Sequence, residues 1–128
     1  MRAVTLDSFA DGAAGVPPVD TEVSDALKAF ADAGRLERAA RIPNADVQLE
    51  DEKDEVRARV KDYQVVIDFT KKTILHDCED WSSRLVKREF CKHVGKVFLR
   101  MDPGQAVERL DRIRGERKLW KFDVPPQT

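Results

Sequence analysis

Apolar residues change their spacing along the chain, and each change marks a change of element. Val23, Leu27, Phe30 and Ala31 recur every three or four positions, the period of a helix with one buried face. Asp20 or Thr21 stands where a cap is needed, with Glu22 and Asp25 placed to suit the helix dipole. Leu36, Ala39 and Ala40 extend the stripe past Gly34, which either ends or weakens the helix, and Pro43 closes it. From there the period falls to two. Val47 and Leu49, then Val56, Ala58 and Val60, then Tyr63, Val65, Ile67 and Phe69 alternate with polar residues, as half-buried strands do. The acidic run 50–55, Lys61-Asp62 and Thr70-Lys71-Lys72 supply the turns, and Thr73–His76 reads as a short last strand.

After Lys87 the helical period returns through Phe90, Val94, Val97, Phe98 and Met101. Asp102-Pro103 stops that helix and starts another, with Asp102 as cap and Pro103 at the first helical position. Ala106, Val107, Leu110 and Ile113 form its apolar side, and Trp120 and Phe122 fall in a tail closed by Pro125-Pro126. The predicted fold class is α+β: a small antiparallel meander of three or four strands followed by a helix, with an N-terminal and a C-terminal helix. The predicted divisions are a flexible arm over 1–20, a helical segment over 21–43, a central domain over 44–101, and a C-terminal helix and tail over 102–128.

A chain of 128 residues fits one small domain with a modest core, for which a metal staple is useful. Charged residues make up 37% and aromatics 7%, so the surface is well solvated. No apolar run is long enough to cross a membrane, and residues 1–18 lack the apolar centre of a secretory signal, which predicts a cytoplasmic protein. The net charge of −1 hides an asymmetry: residues 1–68 carry 15 acidic and 9 basic side chains, residues 69–128 carry 9 and 14. The basic half suits an anionic partner.

That half also holds both histidines and both cysteines, all within residues 76–93. They form two pairs, His76-x-Cys78 and Cys91-x-His93, with 12 residues between the inner members. Two cysteines are too few for a disulfide framework, and a reducing compartment leaves them as thiols. Zinc takes four N or S donors at tetrahedral corners. His76 and Cys78, two apart at a strand end, point the same way; Cys91 before a helix and His93 in its first turn converge from the other side. The helix N-terminus is expected to favour the Cys91 thiolate. The metal ligands are therefore His76, Cys78, Cys91 and His93, and the cofactor is one structural Zn2+.

These residues and their setting resemble the SWIM-type zinc finger, whose pattern is Cys-x-Cys, a spacer, then Cys-x-His, following a β-hairpin and opening a helix. The similarity spans roughly residues 45–101; HDCEDW stands in the place of the family's first pair, and CKHVGKVFL in that of its second. His76 replaces the family's first cysteine, which keeps a valid zinc ligand but shifts the hairpin end by about an ångström. The resemblance implies a module that acts by binding: to DNA or RNA, or to a RecA-family or other nucleic-acid-processing protein in recombination and repair. If the fold follows the family, several of Lys71, Lys72, Arg84, Lys87, Arg88, Lys92, Lys96 and Arg100 surround the finger on its exposed side, where clustered cations suit phosphate; the alternative is a solvated face balanced by Asp77, Glu79, Asp80 and Glu89. With both histidines committed to metal and no glycine-rich phosphate loop, neither an enzyme nor a small-molecule substrate is expected. The alternative is a protein–protein adaptor docking through 1–20, 21–42 or 119–128, with no nucleic-acid contact.

Overall fold

The computed structural model describes residues 20–126, so most of the arm read over 1–20 lies outside the described residues. The opening helical segment is two helices. Asp20 caps α1 (Thr21–Leu27), its carboxylate accepting from the Glu22 and Val23 amides at 2.9 and 3.1 Å. After a turn in which Leu27 O accepts from Phe30 and Ala31, Asp32 caps α2 (Ala33–Arg41) by accepting from the Arg35 amide at 2.8 Å. Gly34 therefore neither ends a helix nor lies mid-way along one; it sits in the first turn of α2. The restart comes from Asp32, a capping residue that the continuous apolar stripe conceals.

A 3-10 turn (Asn44–Asp46) leads into β1 (Val47–Asp51), β2 (Glu55–Val60), β3 (Tyr63–Asp68) and β4 (Thr73–His76), an antiparallel meander. Lys61 and Lys72 adopt positive φ, 57° and 56°, in the turns that join β2 to β3 and β3 to β4. Asp68 fixes the second turn by accepting from the Thr70 and Lys71 amides. The chain then forms a short helix α3 (Glu79–Ser82), α4 (Lys92–Arg100) and α5 (Pro103–Gly115), the last capped by Asp102 with Pro103 at its first position. Finally β5 (Lys121–Asp123) pairs parallel to β4, giving the sheet order β1-β2-β3-β4-β5. Two elements thus go beyond the sequence-based expectation. Three residues of alternation are too few to mark β5 as a strand, and α3 is a single turn.

All the helices that carry apolar stripes lie on one face of the sheet. Val56, Ala58, Val60, Val65, Ile67 and Ile74 point into the core, while Arg57, Arg59 and Gln64 point outward into solvent. α4 lies across β1, β2 and β3; α2 packs on α4, and α1 packs on α5. Residues from Val23 to Phe122 share one apolar cluster, so helical segment, central domain and C-terminal segment have a common core. Phe90 stands at its centre, stacked on Phe30 with centroids 4.5 Å apart and on Phe98 at 5.5 Å, with Phe122 at 5.7 Å. Its amide also donates to Phe30 O at 2.8 Å. Phe90→Ala is expected to lower the free energy of unfolding by about 3–5 kcal/mol, because three rings lose a shared partner; urea unfolding followed by circular dichroism measures it.

Candidate metal centre

The predicted ligands are delivered by a strand end, two helix N-caps and a first helical turn. His76 ends β4, where it pairs with Val65 of β3 and turns inward with Ile74. Cys78 is the N-cap of α3, and Cys91 is the N-cap of α4. His93 follows in the first turn of α4. All four side chains are buried, His76 completely. Their donor atoms lie within 4.8 Å of one another. His76 Nε2 is 3.4 Å from His93 Nδ1, and His93 Nδ1 is 4.0 Å from Cys91 Sγ. A tetrahedron with zinc–nitrogen bonds of about 2.0 Å and zinc–sulfur bonds of about 2.3 Å has edges of roughly 3.3–3.8 Å. The donor set and its spacing fit one metal ion.

The neighbouring groups favour this role. His76 Nδ1 lies 2.7 Å from the Gln64 carbonyl, an acceptor, so that nitrogen carries the hydrogen and Nε2 presents its lone pair to the site. Cys78 Sγ accepts from the Trp81 amide at 3.4 Å. The Tyr63 ring covers His93 at 4.7 Å between centroids and meets His76 edge-on at 5.8 Å. These contacts orient the donors and keep water from the centre. Asp77, Glu79 and Asp80 are not in the donor cluster.

The two thiols have different surroundings. The hydrogen bond from Cys91, with those of His76, His93 and the Trp81 amide, holds the Cys78 thiol well below its ordinary pKa. Cys91 is pushed upward, first by burial and then by the adjacent Cys78. The helix-terminal amides of His93 and Val94 do favour the Cys91 thiolate as expected, but burial and the neighbouring charge outweigh them. A divalent cation reverses that balance, since it compensates two thiolates in a low-dielectric site.

Asp80 secures the loop that carries Cys78. Its carboxylate accepts two hydrogen bonds from Arg35 of α2, at 3.0 and 3.1 Å, and a third from Arg84 at 3.1 Å. The Arg35 hydrogen bonds lower its pKa to about 2. Trp81 adds a second tie: its indole N–H donates to Asp123 O at 2.9 Å, and its ring stacks on Phe122 at 5.0 Å. The metal loop is thereby fastened to both α2 and β5. Sequence reasoning had no signal for the Arg35–Asp80 pair, whose members are 45 residues apart.

The basic side chains expected around the finger do not form one set. Lys96 is a correction: it is 2% exposed, its ammonium donates to Asn44 Oδ1 at 2.8 Å, and burial lowers its pKa. It faces inward because its position on α4 is on the core side, so it offers nothing to a partner. Arg84 is tied to Asp80 and Glu89, and Lys72 to Glu116. Lys92 and Arg88 are half-buried, whereas Lys71, Lys87 and Arg100 are exposed.

Cys91→Ser and His76→Ala are each expected to abolish stoichiometric metal binding, and Arg35→Met to retain it while lowering stability by about 1–3 kcal/mol. Elemental analysis with thermal melting separates the two behaviours; metal bound at full stoichiometry by Cys91→Ser would exclude the assigned donor set. No protein-family model, no curated protein and no solved structure matches this chain.

Proposed function

We propose that this chain is a zinc-pinned, SWIM-like module that acts by binding, to nucleic acid or within a nucleic-acid-processing complex of the recombination and repair kind, and that it catalyses no reaction. The observation that carries this reading is the buried His76-Cys78-Cys91-His93 group, in which protein donors supply all four corners. Two imidazoles and two thiolates in a compact tetrahedral arrangement suit Zn2+ better than the hard, oxygen-seeking cations. A catalytic zinc keeps a position open for water or substrate, and four protein donors leave none. The free cysteines accord with a reducing compartment. The HxC…CxH spacing, the hairpin before it and the helix after it support the family resemblance.

A second reading, a protein–protein adaptor, draws on one specific feature. Lys96 is buried and Arg84 is paired with Asp80 and Glu89, while Val86 and Leu119, 96% and 64% exposed, are aliphatic side chains left in solvent. Such residues suit a protein contact.

Purified protein is expected to contain one zinc per chain and to lose its cooperative thermal transition when a strong chelator is added, because metal binding and folding are coupled. Fluorescence anisotropy with labelled DNA and RNA then compares loaded and stripped protein. Salt-sensitive binding by the loaded form alone supports the nucleic-acid reading. Absence of binding at low salt, with partner capture that survives nuclease, establishes the adaptor.

A further inference from the structure

Three stretches of basic sequence, 71–72, 87–88 and 112–121, meet at the C-terminal end of α5. Arg112 donates to Phe69 O at 3.4 Å, which sets α5 beside the β3–β4 turn. The Lys121 amide donates to Lys72 O at 2.9 Å, and Lys72 Nζ is 3.1 Å from Glu116. Arg117 bridges to the loop before Cys91 by donating to Arg88 O at 3.0 Å and to Ala29 O at 2.9 Å. This surface lies at the opposite end of the β3–β4 hairpin from His76, about 13 Å away for four residues of strand.

Two of its carboxylates have partners, and the β1–β2 turn with exposed Glu52 and Asp54 borders it where the Phe69 amide donates to Asp54 O at 2.9 Å. Glu116 is shared by Lys72, Arg112 and the Trp120 indole N–H. Asp68 accepts from the backbone of its own turn. Exposed cations remain: Lys71, Lys87 and Lys118 have no carboxylate within ion-pairing distance among the described residues, and the Lys121 side chain, 72% exposed, lies 3.5 Å from the Asp123 carboxylate.

Among the described residues, no exposed aromatic side chain accompanies this charge. Trp120 and Phe122 are buried in the core, Trp120 edge-on to Phe69 at 5.6 Å. The exposed aromatic, Tyr63, stands at the other end of the hairpin over His93. A surface with cations and no stacking platform suits a polyanion whose bases are already stacked.

We propose that this surface, built by the β3–β4 turn and the end of α5, binds the phosphate backbone of duplex nucleic acid without reading its sequence. The proposal rests on the nucleic-acid reading above and places its contact away from the metal. The test is anisotropy with a duplex and with a single strand of equal length, over several salt concentrations. It compares the wild-type chain with the triple variant Lys71→Ala, Lys118→Ala, Lys121→Ala. A control variant, Arg57→Ala with Arg59→Ala, removes charge from the outer face of the sheet.

The wild type is expected to bind duplex more tightly than single strand. The triple variant should bind at least about tenfold more weakly at low salt, with a log–log salt slope reduced by about 2–3. Metal content and melting temperature should be unchanged, and the control should bind like wild type. Equal binding by the wild type and the triple variant overturns this surface while leaving the nucleic-acid reading intact. Tighter binding to single strand overturns the duplex assignment. A wild-type chain that binds neither probe overturns both proposals.

Discussion

Two imidazoles and two thiols buried at one point govern how the rest of this small structure is arranged. The two histidine nitrogens are 3.4 Å apart, Cys78 Sγ accepts from the Trp81 amide, and burial pushes the Cys91 thiol upward. Buried polar atoms with weak partners are costly. Coordination turns that cost into cohesion, since each donor then faces a full partner and the hairpin end becomes joined to the start of α4. A chain with a modest core gains most from such a link, because 12 residues separate the two pairs and carry only a single turn of helix of their own.

That loop is held from outside as well. Arg35 grips Asp80 from α2, Trp81 reaches β5 through its indole N–H, and Phe90 joins its ring and its amide to Phe30. Residues from near both ends of the described chain therefore converge on the segment between the cysteine pairs. Loss of the metal would loosen α2 and β5 along with the hairpin, which is why a metal-dependent melting transition in this fold should be global rather than local.

The ligands were legible because both constraints on them are local. Spacing of two along a strand end or across a helix start decides where a side chain points, and the clustering of every histidine and cysteine within 76–93 needs no tertiary knowledge. The meander and the three long apolar stripes were legible for the same reason. What escaped depends on distant partners. β5 exists because α5 returns the chain beside β4, and three residues carry no period of their own. The break between α1 and α2 is hidden because apolar residues on both sides of Asp32 continue one stripe. Lys96 was placed outside on residue type alone, although its helical position, three after His93, assigns it to the core face.

Charge shows the same division between local and tertiary. The basic excess of residues 69–128 is a fact of composition, but its place on the surface depends on which cations acquire partners. Near the donor cluster, Arg84 pairs with Asp80 and Glu89 while Lys96 turns inward, so these two cations are not free there. At the end of α5 the turn carrying Lys71 and the strand carrying Lys121 are brought together by backbone hydrogen bonds, which leave the Lys71 ammonium unpaired among the described residues, while Lys121 lies 3.5 Å from Asp123. Cations positioned by their backbones keep their charge available, whereas those that position loops by their side chains spend it. On this principle, the residues that build the metal centre and those that present charge to a partner are separate populations.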